Sequence, residues 1–131
     1  MNKQKSILLI DDDVTSNFIS ELVIKKLSIF NSVRSAKNGK EALDFILDNC
    51  LPDYKENCPQ IIFLDLHMPV MDGFDFLEHL TLQMPHYVQA FKIFILTSSS
   101  NPKDMEMAGK YKIDGYVVKP LNAEKVKELI D

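Results

Sequence analysis

Short runs of strand-forming residues alternate five times with stretches of helical periodicity, and this alternation leaves few folds open. The runs are SILLI (6–10), SVRSA (32–36), QIIFL (60–64), AFKIFIL (90–96) and GYVV (115–118). Strands separated by helices predict parallel pairing through right-handed crossovers, and therefore an open α/β sheet covered on both faces. SVRSA is polar enough to sit at an edge.

The connecting stretches supply the helices. In TSNFISELVIKKLSIF (15–30), Phe18, Ile19, Leu22, Val23, Leu27 and Phe30 share one face, predicted to be buried, and Ser20, Glu21, Lys25 and Lys26 share the other. After Asn38-Gly39, the residues Ala42, Leu43, Ile46 and Leu47 repeat at helical spacing. Residues 49–59 read as a loop from their Pro, Asn and Asp content. Phe74, Leu77, Leu80 and Met84 mark a third helix. Pro102 suits the first turn of a fourth after SSSNP (98–102). Asn122 can cap a fifth that buries Val126, Leu129 and Ile130.

With 131 residues, the chain predicts one domain over 1–131, with a core sufficient to fold unaided. No apolar run approaches the roughly 20 residues of a membrane helix, and the polar start MNKQKS is no signal peptide. Net charge is −4 with lysines and acids intermixed, which gives no basic footprint for nucleic acid. Cys50 and Cys58 lack the spacing and partners of a metal or redox motif, and are expected as free cytosolic thiols. His79 and His86 share no ligand spacing and are expected at the surface. Met105 and Met107 suit either a soft partner surface or the core.

In folds of this kind the ligand site lies beyond the carboxyl ends of the strands. Those ends carry Asp11-Asp12-Asp13, Asp65, Thr97-Ser98 and Lys119-Pro120. Carboxylates at Asp11, Asp12 and Asp65 would repel one another, and a hard divalent cation such as Mg²⁺, held by oxygens and water, relieves that repulsion. Lys119 and Thr97 add donors unsuited to a bare cation site but suited to a phosphoryl dianion. A carboxylate can attack phosphorus and carry the group as an acyl phosphate, so Asp65, flanked by metal ligands and a counter-charge, is the expected nucleophile. Asp13 fits a helix N-terminal acid.

LLIDDD, IFLDLHMPVMDG, ILTSSS and GYVVKP, in this order and at these strand ends, resemble the response-regulator receiver domains, the CheY-like family. The likeness covers the whole chain. It implies a doubly wound sheet of order 2-1-3-4-5 with five helices. It places the metal carboxylates at Asp11 and Asp12, the phosphoacceptor at Asp65 and a metal-binding backbone carbonyl at His67. The switch hydroxyl falls at Thr97, the site lysine at Lys119 before a cis Pro120, and the switch aromatic at Tyr116. The implied cofactor is Mg²⁺, with Mn²⁺ as a substitute. The implied partners are a histidine kinase or histidine phosphotransfer protein as donor, and a downstream protein on the helix 4–strand 5–helix 5 face. The expected protein is cytoplasmic, a monomer or a phosphorylation-dependent dimer, and turns over no independent substrate. His67 and Ser99 border the path of attacking water. The chain ends with the fifth helix, so output is expected through protein contacts or onward transfer.

Three other function classes fit less well. Aspartyl-phosphate phosphohydrolases use Asp-x-Asp, whereas His67 stands two residues after Asp65. A Rossmann nucleotide site needs a Gly-rich turn after the first strand, where this chain has aspartates. A binding scaffold without phosphorylation requires no particular site chemistry, and all four site positions keep theirs.

Overall fold

The computed structural model describes residues 5–28, 30–53, 55–86, 90–97 and 101–130. Five strands alternate with helices: β1 (Lys5–Ile10), α1 (Val14–Leu27), β2 (Phe30–Ala36), α2 (Gly39–Cys50), β3 (Ile61–Asp65), α3 (Gly73–Gln83), β4 (Lys92–Thr97), α4 (Pro102–Ala108), β5 (Gly115–Val118) and α5 (Ala123–Ile130). All strands pair in parallel, in the order β2-β1-β3-β4-β5, with β2 at an edge as its polarity predicts.

Alternation along each strand divides the core between the two faces of the sheet. Leu8, Ile10, Ile62, Leu64, Ile93 and Ile95 pack with Ala42, Leu43 and Ile46 of α2 and Phe76, Leu77 and Leu80 of α3. Ile7, Leu9, Ile61, Phe63, Phe94 and Leu96 face the other way, against Ile24 of α1 and Val126 of α5. The Phe63 and Phe94 rings stack across that second face at 5.7 Å. Helix starts follow the sequence: Asp13, Asn38, Asp72 and Asn101 each accept a backbone N–H of the first turn, and Asn122 accepts that of Lys125.

Helix α1 departs from expectation. Its face toward the sheet carries Asn17, Ser20 and Ile24, while Phe18, Ile19 and Leu22 are 59%, 48% and 46% exposed. Both sets repeat at helical spacing, so periodicity alone could not choose between them. Asn17 decides the matter: its amide donates to the carbonyl of Asp11 just past β1 (2.9 Å), with a longer second contact to Ala36 O (3.5 Å), which also accepts the Asp11 N–H. The helix ends at Leu27, with Ser28 in the left-handed region, so Phe30 belongs to β2.

The expectation of free thiols is also corrected. Cys50, the last residue of α2, is bonded to Cys58 as a disulfide, with Cα atoms 5.1 Å apart. The connection folds back because Lys55 N–H donates to Asn49 O (2.8 Å) and Cys58 N–H to Lys55 O (3.0 Å), which brings the two cysteines together. Both lie in the core. Removing the bond frees a short loop in the unfolded chain, so Cys58→Ser should lower stability in urea by about 2 kcal/mol. A urea midpoint unaffected by either the substitution or a thiol reductant would contradict that role.

Candidate functional site

The strand register assembles the site. Ile10 is level with Leu64, Asp65 with Leu96, and Thr97 with Val118. One further residue on β1 therefore sets Asp11 beside Asp65, and one further residue on β5 puts Lys119 just past the level of Thr97. The Lys119 N–H donates to Thr97 O at 2.7 Å, fixing the chain where the lysine leaves the sheet. The Lys119-Pro120 peptide is cis.

Lys119 Nζ lies 2.6 Å from Asp11 Oδ2 and 3.7 Å from Asp65 Oδ2. Asp11 is buried, Asp65 half-buried and Asp12 exposed. Asp11 Oδ1 accepts the Asp13 N–H at 3.0 Å. Its other oxygen is ion-paired with Lys119 but accepts no aligned hydrogen bond, leaving lone pairs unused in a buried place. One oxygen from each of Asp11, Asp12 and Asp65 lies within 4.8 Å of the other two. A hard oxygen donor set with an unsatisfied buried carboxylate fits a small divalent cation.

Asp65, His67, Thr97, Asn101, Asp104 and Lys119 line a pocket of about 300 Å³. Among the described residues, Tyr116 stands outside it, its hydroxyl donating to Met105 O of α4 at 3.0 Å. Ser98 and Ser99 lie outside the described residues. Asp13 caps α1 by accepting Ser16 N–H at 3.1 Å, and His79 and His86 are exposed.

The loop from β3 to α3 is tightly held. A Cβ on Gly73 would stand 2.7 Å from Asp65 O and 2.8 Å from Leu66 Cα, so only glycine permits α3 to start this close to β3. Val70 sits at φ 72°, a left-handed conformation costly for a β-branched residue, at the tip of the same loop.

Asp104 is the residue that sequence reasoning missed. It lies in the first turn of α4, and its Oδ2 is 2.7 Å from His67 Nε2. Nothing in the sequence separates it from an ordinary N-terminal helix acid.

Charge crowding sets the electrostatics. Burial, with Asp11 adding to it against the pull of Lys119, pushes the Asp65 carboxyl up to about 6. Burial also opposes ionisation of Asp11, but the Lys119 contact and the Asp13 N–H outweigh it and hold that carboxyl below the usual range. Lys119 loses by burial and gains more from Asp11 and Asp65, so it stays firmly charged. The hydrogen bond to Asp104 raises His67.

A doubly wound α/β domain with a carboxylate trio, a lysine and a hydroxyl at its strand ends is the architecture of phosphoacceptor signalling domains. The chain matches the response regulator receiver domain family over residues 7–131 and belongs to it. It is 28% identical to the chemotaxis protein CheY of Halobacterium salinarum, over 96% of this chain and 93% of that one. It is 27% identical to chemotaxis protein CheY-3 of Vibrio cholerae, over 100% and 92% of the two chains. A two-component response regulator from Cytophaga hutchinsonii superposes with a TM-score of 0.85 at 27% identity, over 98% and 96% of the chains.

The raised Asp65 carboxyl fixes the sign of a pH effect. Its protonated form is favoured by folding, so its contribution is fully present below the unfolded value of 3.8 and is lost as pH rises through about 6. In chelator at pH 7.5, Asp65→Asn should therefore stabilise the fold by on the order of 1–3 kcal/mol. Chemical denaturation should show that gain shrinking as pH falls toward 4. A gain independent of pH would contradict the burden assigned to the ionised carboxylate.

Proposed function

We propose that Asp65 accepts a phosphoryl group from a phosphohistidine, carried by a histidine kinase or histidine phosphotransfer protein, in a Mg²⁺-dependent reaction. The observation that carries this reading is the convergence of Asp65 with Asp11, Asp12 and Lys119 at the strand ends of a receiver domain. An Asp65 oxygen attacks phosphorus as the bond to the donor imidazole breaks, and the imidazole nitrogen leaves with the electron pair and takes up a proton. Lys119 faces the oxygens of the transferred group, and Thr97, from the adjacent strand end, supplies the hydroxyl that closes on it. Asp11, Asp12, Asp65 and the His67 carbonyl would hold Mg²⁺, or Mn²⁺ in its place, which supplies charge neutralisation as the anionic partners meet. The same residues serve hydrolysis, in which water attacks phosphorus and the carboxylate leaves. The domain thus catalyses only its own phosphorylation and dephosphorylation.

The geometry also supports two protein-contact surfaces. Val14, Phe18 and Leu22 form an exposed apolar strip along α1, with Ile19 beside it, and α1 begins directly after the acidic site. We assign this strip to the donor protein, which must bring its histidine to Asp65. Tyr116 ties β5 to α4 through Met105 O, and Met105, Met107 and Val118 are exposed. Closing of Thr97 on the phosphoryl group and release of that tie would remodel the α4–β5–α5 face for a downstream protein, shifting the population between two packings. A second copy of the chain on that face is the alternative outcome, visible as a phosphorylation-dependent dimer.

The proposed location is the cytoplasm. Among the described residues no helix is long and apolar enough to cross a membrane.

Intact mass after incubation with acetyl phosphate and Mg²⁺ should show one added phosphoryl group in wild type and none in Asp65→Asn or in excess chelator. Equal labelling of Asp65→Asn would refute the acceptor assignment. Phe18→Asp should slow transfer from a phosphohistidine protein at least tenfold while leaving labelling by acetyl phosphate intact. Parallel losses with both donors would remove the α1 strip as the docking surface.

A further inference from the structure

Lys125 stands in the first turn of α5, its backbone N–H donating to the capping Asn122 at 2.9 Å. A helix presents its positive end there, so a cation gains nothing from the helix itself. The gain comes from elsewhere. The Lys125 ammonium reaches back out of the helix and donates to Val118 O at 2.7 Å and to Pro120 O at 3.0 Å. These carbonyls stand on either side of Lys119, and none of the proposed steps uses the contact.

Strand geometry explains why those oxygens are there to be held. Strand β5 lies at an open edge of the sheet. The Val118–Lys119 peptide is trans, so its N–H and C=O point in opposite directions. The N–H points inward, to Thr97 O at 2.7 Å. The C=O therefore points off the edge, away from β4, and Lys125 takes it. One peptide group is pinned from both sides directly before the site lysine. The same Nζ holds the chain again just beyond it, at Pro120 O, while Leu121 and Val126 anchor the turn in the core. Lys119 must deliver its Nζ to 2.6 Å from Asp11 and 3.7 Å from Asp65 at the end of a long side chain. A backbone free to rock at the root of that side chain would spread the placement.

We propose that Lys125 is a positioning residue of the phosphoacceptor site. By gripping the carbonyls of Val118 and Pro120 it fixes the backbone of Lys119, and so the point at which the site ammonium meets Asp65 and the incoming phosphoryl group. The inference rests on the acceptor reading above and adds to it a residue of α5 that touches no reacting atom.

Lys125→Met keeps the aliphatic stem and removes the donor, and Lys127→Met removes an exposed charge of the same helix as a control. In NMR spectra of Lys125→Met, the carbonyl carbon signals of Val118 and Pro120 should move upfield as their hydrogen bonds are lost. The Lys119 side-chain signals should move toward those of a solvent-exposed lysine. Initial labelling by acetyl phosphate at saturating Mg²⁺, read by intact mass, should slow about fivefold in Lys125→Met. It should stay within about twofold of wild type in Lys127→Met, whose charge is screened by solvent. Adding Lys125→Met to Lys119→Ala should change the rate by no more than about 1.5-fold, because the grip acts through Lys119. Lys119 signals that stay in place in Lys125→Met, or equal slowing with and without Lys119, would overturn the positioning role. So would a Lys127→Met protein as slow as Lys125→Met. Wild type that labels no better than Asp65→Asn would remove the acceptor reading, whereas the Lys119 signals would still decide whether the grip exists.

Discussion

The contact between Lys119 and the buried Asp11, with Asp65 crowded beside it, is what the site and the strand ends around it depend on. Burying one carboxylate and half-burying another at its side is unfavourable on both solvation and Coulomb grounds. Lys119 compensates most fully where it is nearest, at 2.6 Å from Asp11, and less at 3.7 Å from Asp65. The two aspartates consequently part company: Asp11 is held ionised and Asp65 is pushed up to about 6. Asp65 is the carboxylate left under-compensated, and the proposed cation and phosphoryl group would each relieve it. Activity and cost come from the same placement.

The hydrophobic sheet makes that placement possible. Four nearly fully buried residues in each of β1 and β3 fix the register, and the polar residues follow directly where the apolar run stops. Gly73 lets α3 begin against β3, and Asn17 satisfies the Asp11 carbonyl at the end of β1. On the far side, the Tyr116 hydroxyl and the Asp104 carboxylate tie α4 to β5 and to the loop after β3. Among the described residues, α4 is thus tied by a polar contact on each side, one at the site and one to β5, and by Ala108 in the core. A short helix held mainly by polar contacts is easier to shift than one held by a wide apolar face.

Much of this was legible in the sequence because alternation and strand-end polarity are direct consequences of a parallel sheet covered on both faces. The strands, the cap at Asn122, Pro102 in the first turn of α4, and the gathering of Asp11, Asp12, Asp65 and Lys119 follow from that pattern. Helix α1 was misread because Phe18, Leu22 and Asn17, Ser20, Ile24 are equally regular. Satisfying the carbonyl at the end of β1 through Asn17 won over burying more carbon, and the apolar residues were left outside. The disulfide was missed because spacing along a loop does not report how the loop folds back; its hydrogen bonds do. The His67–Asp104 pair joins residues 37 apart in sequence through α4 packing, which no local pattern encodes.

The most direct test is to locate the phosphoryl group chemically. Borohydride reduces an acyl phosphate to an alcohol and turns the aspartate that carried it into homoserine, which peptide mass spectrometry can place. After phosphorylation in Mg²⁺, homoserine is expected at position 65 and at no other aspartate. Homoserine at position 11 or 12, or a phosphoryl group borne on His67, would contradict Asp65 as the nucleophile.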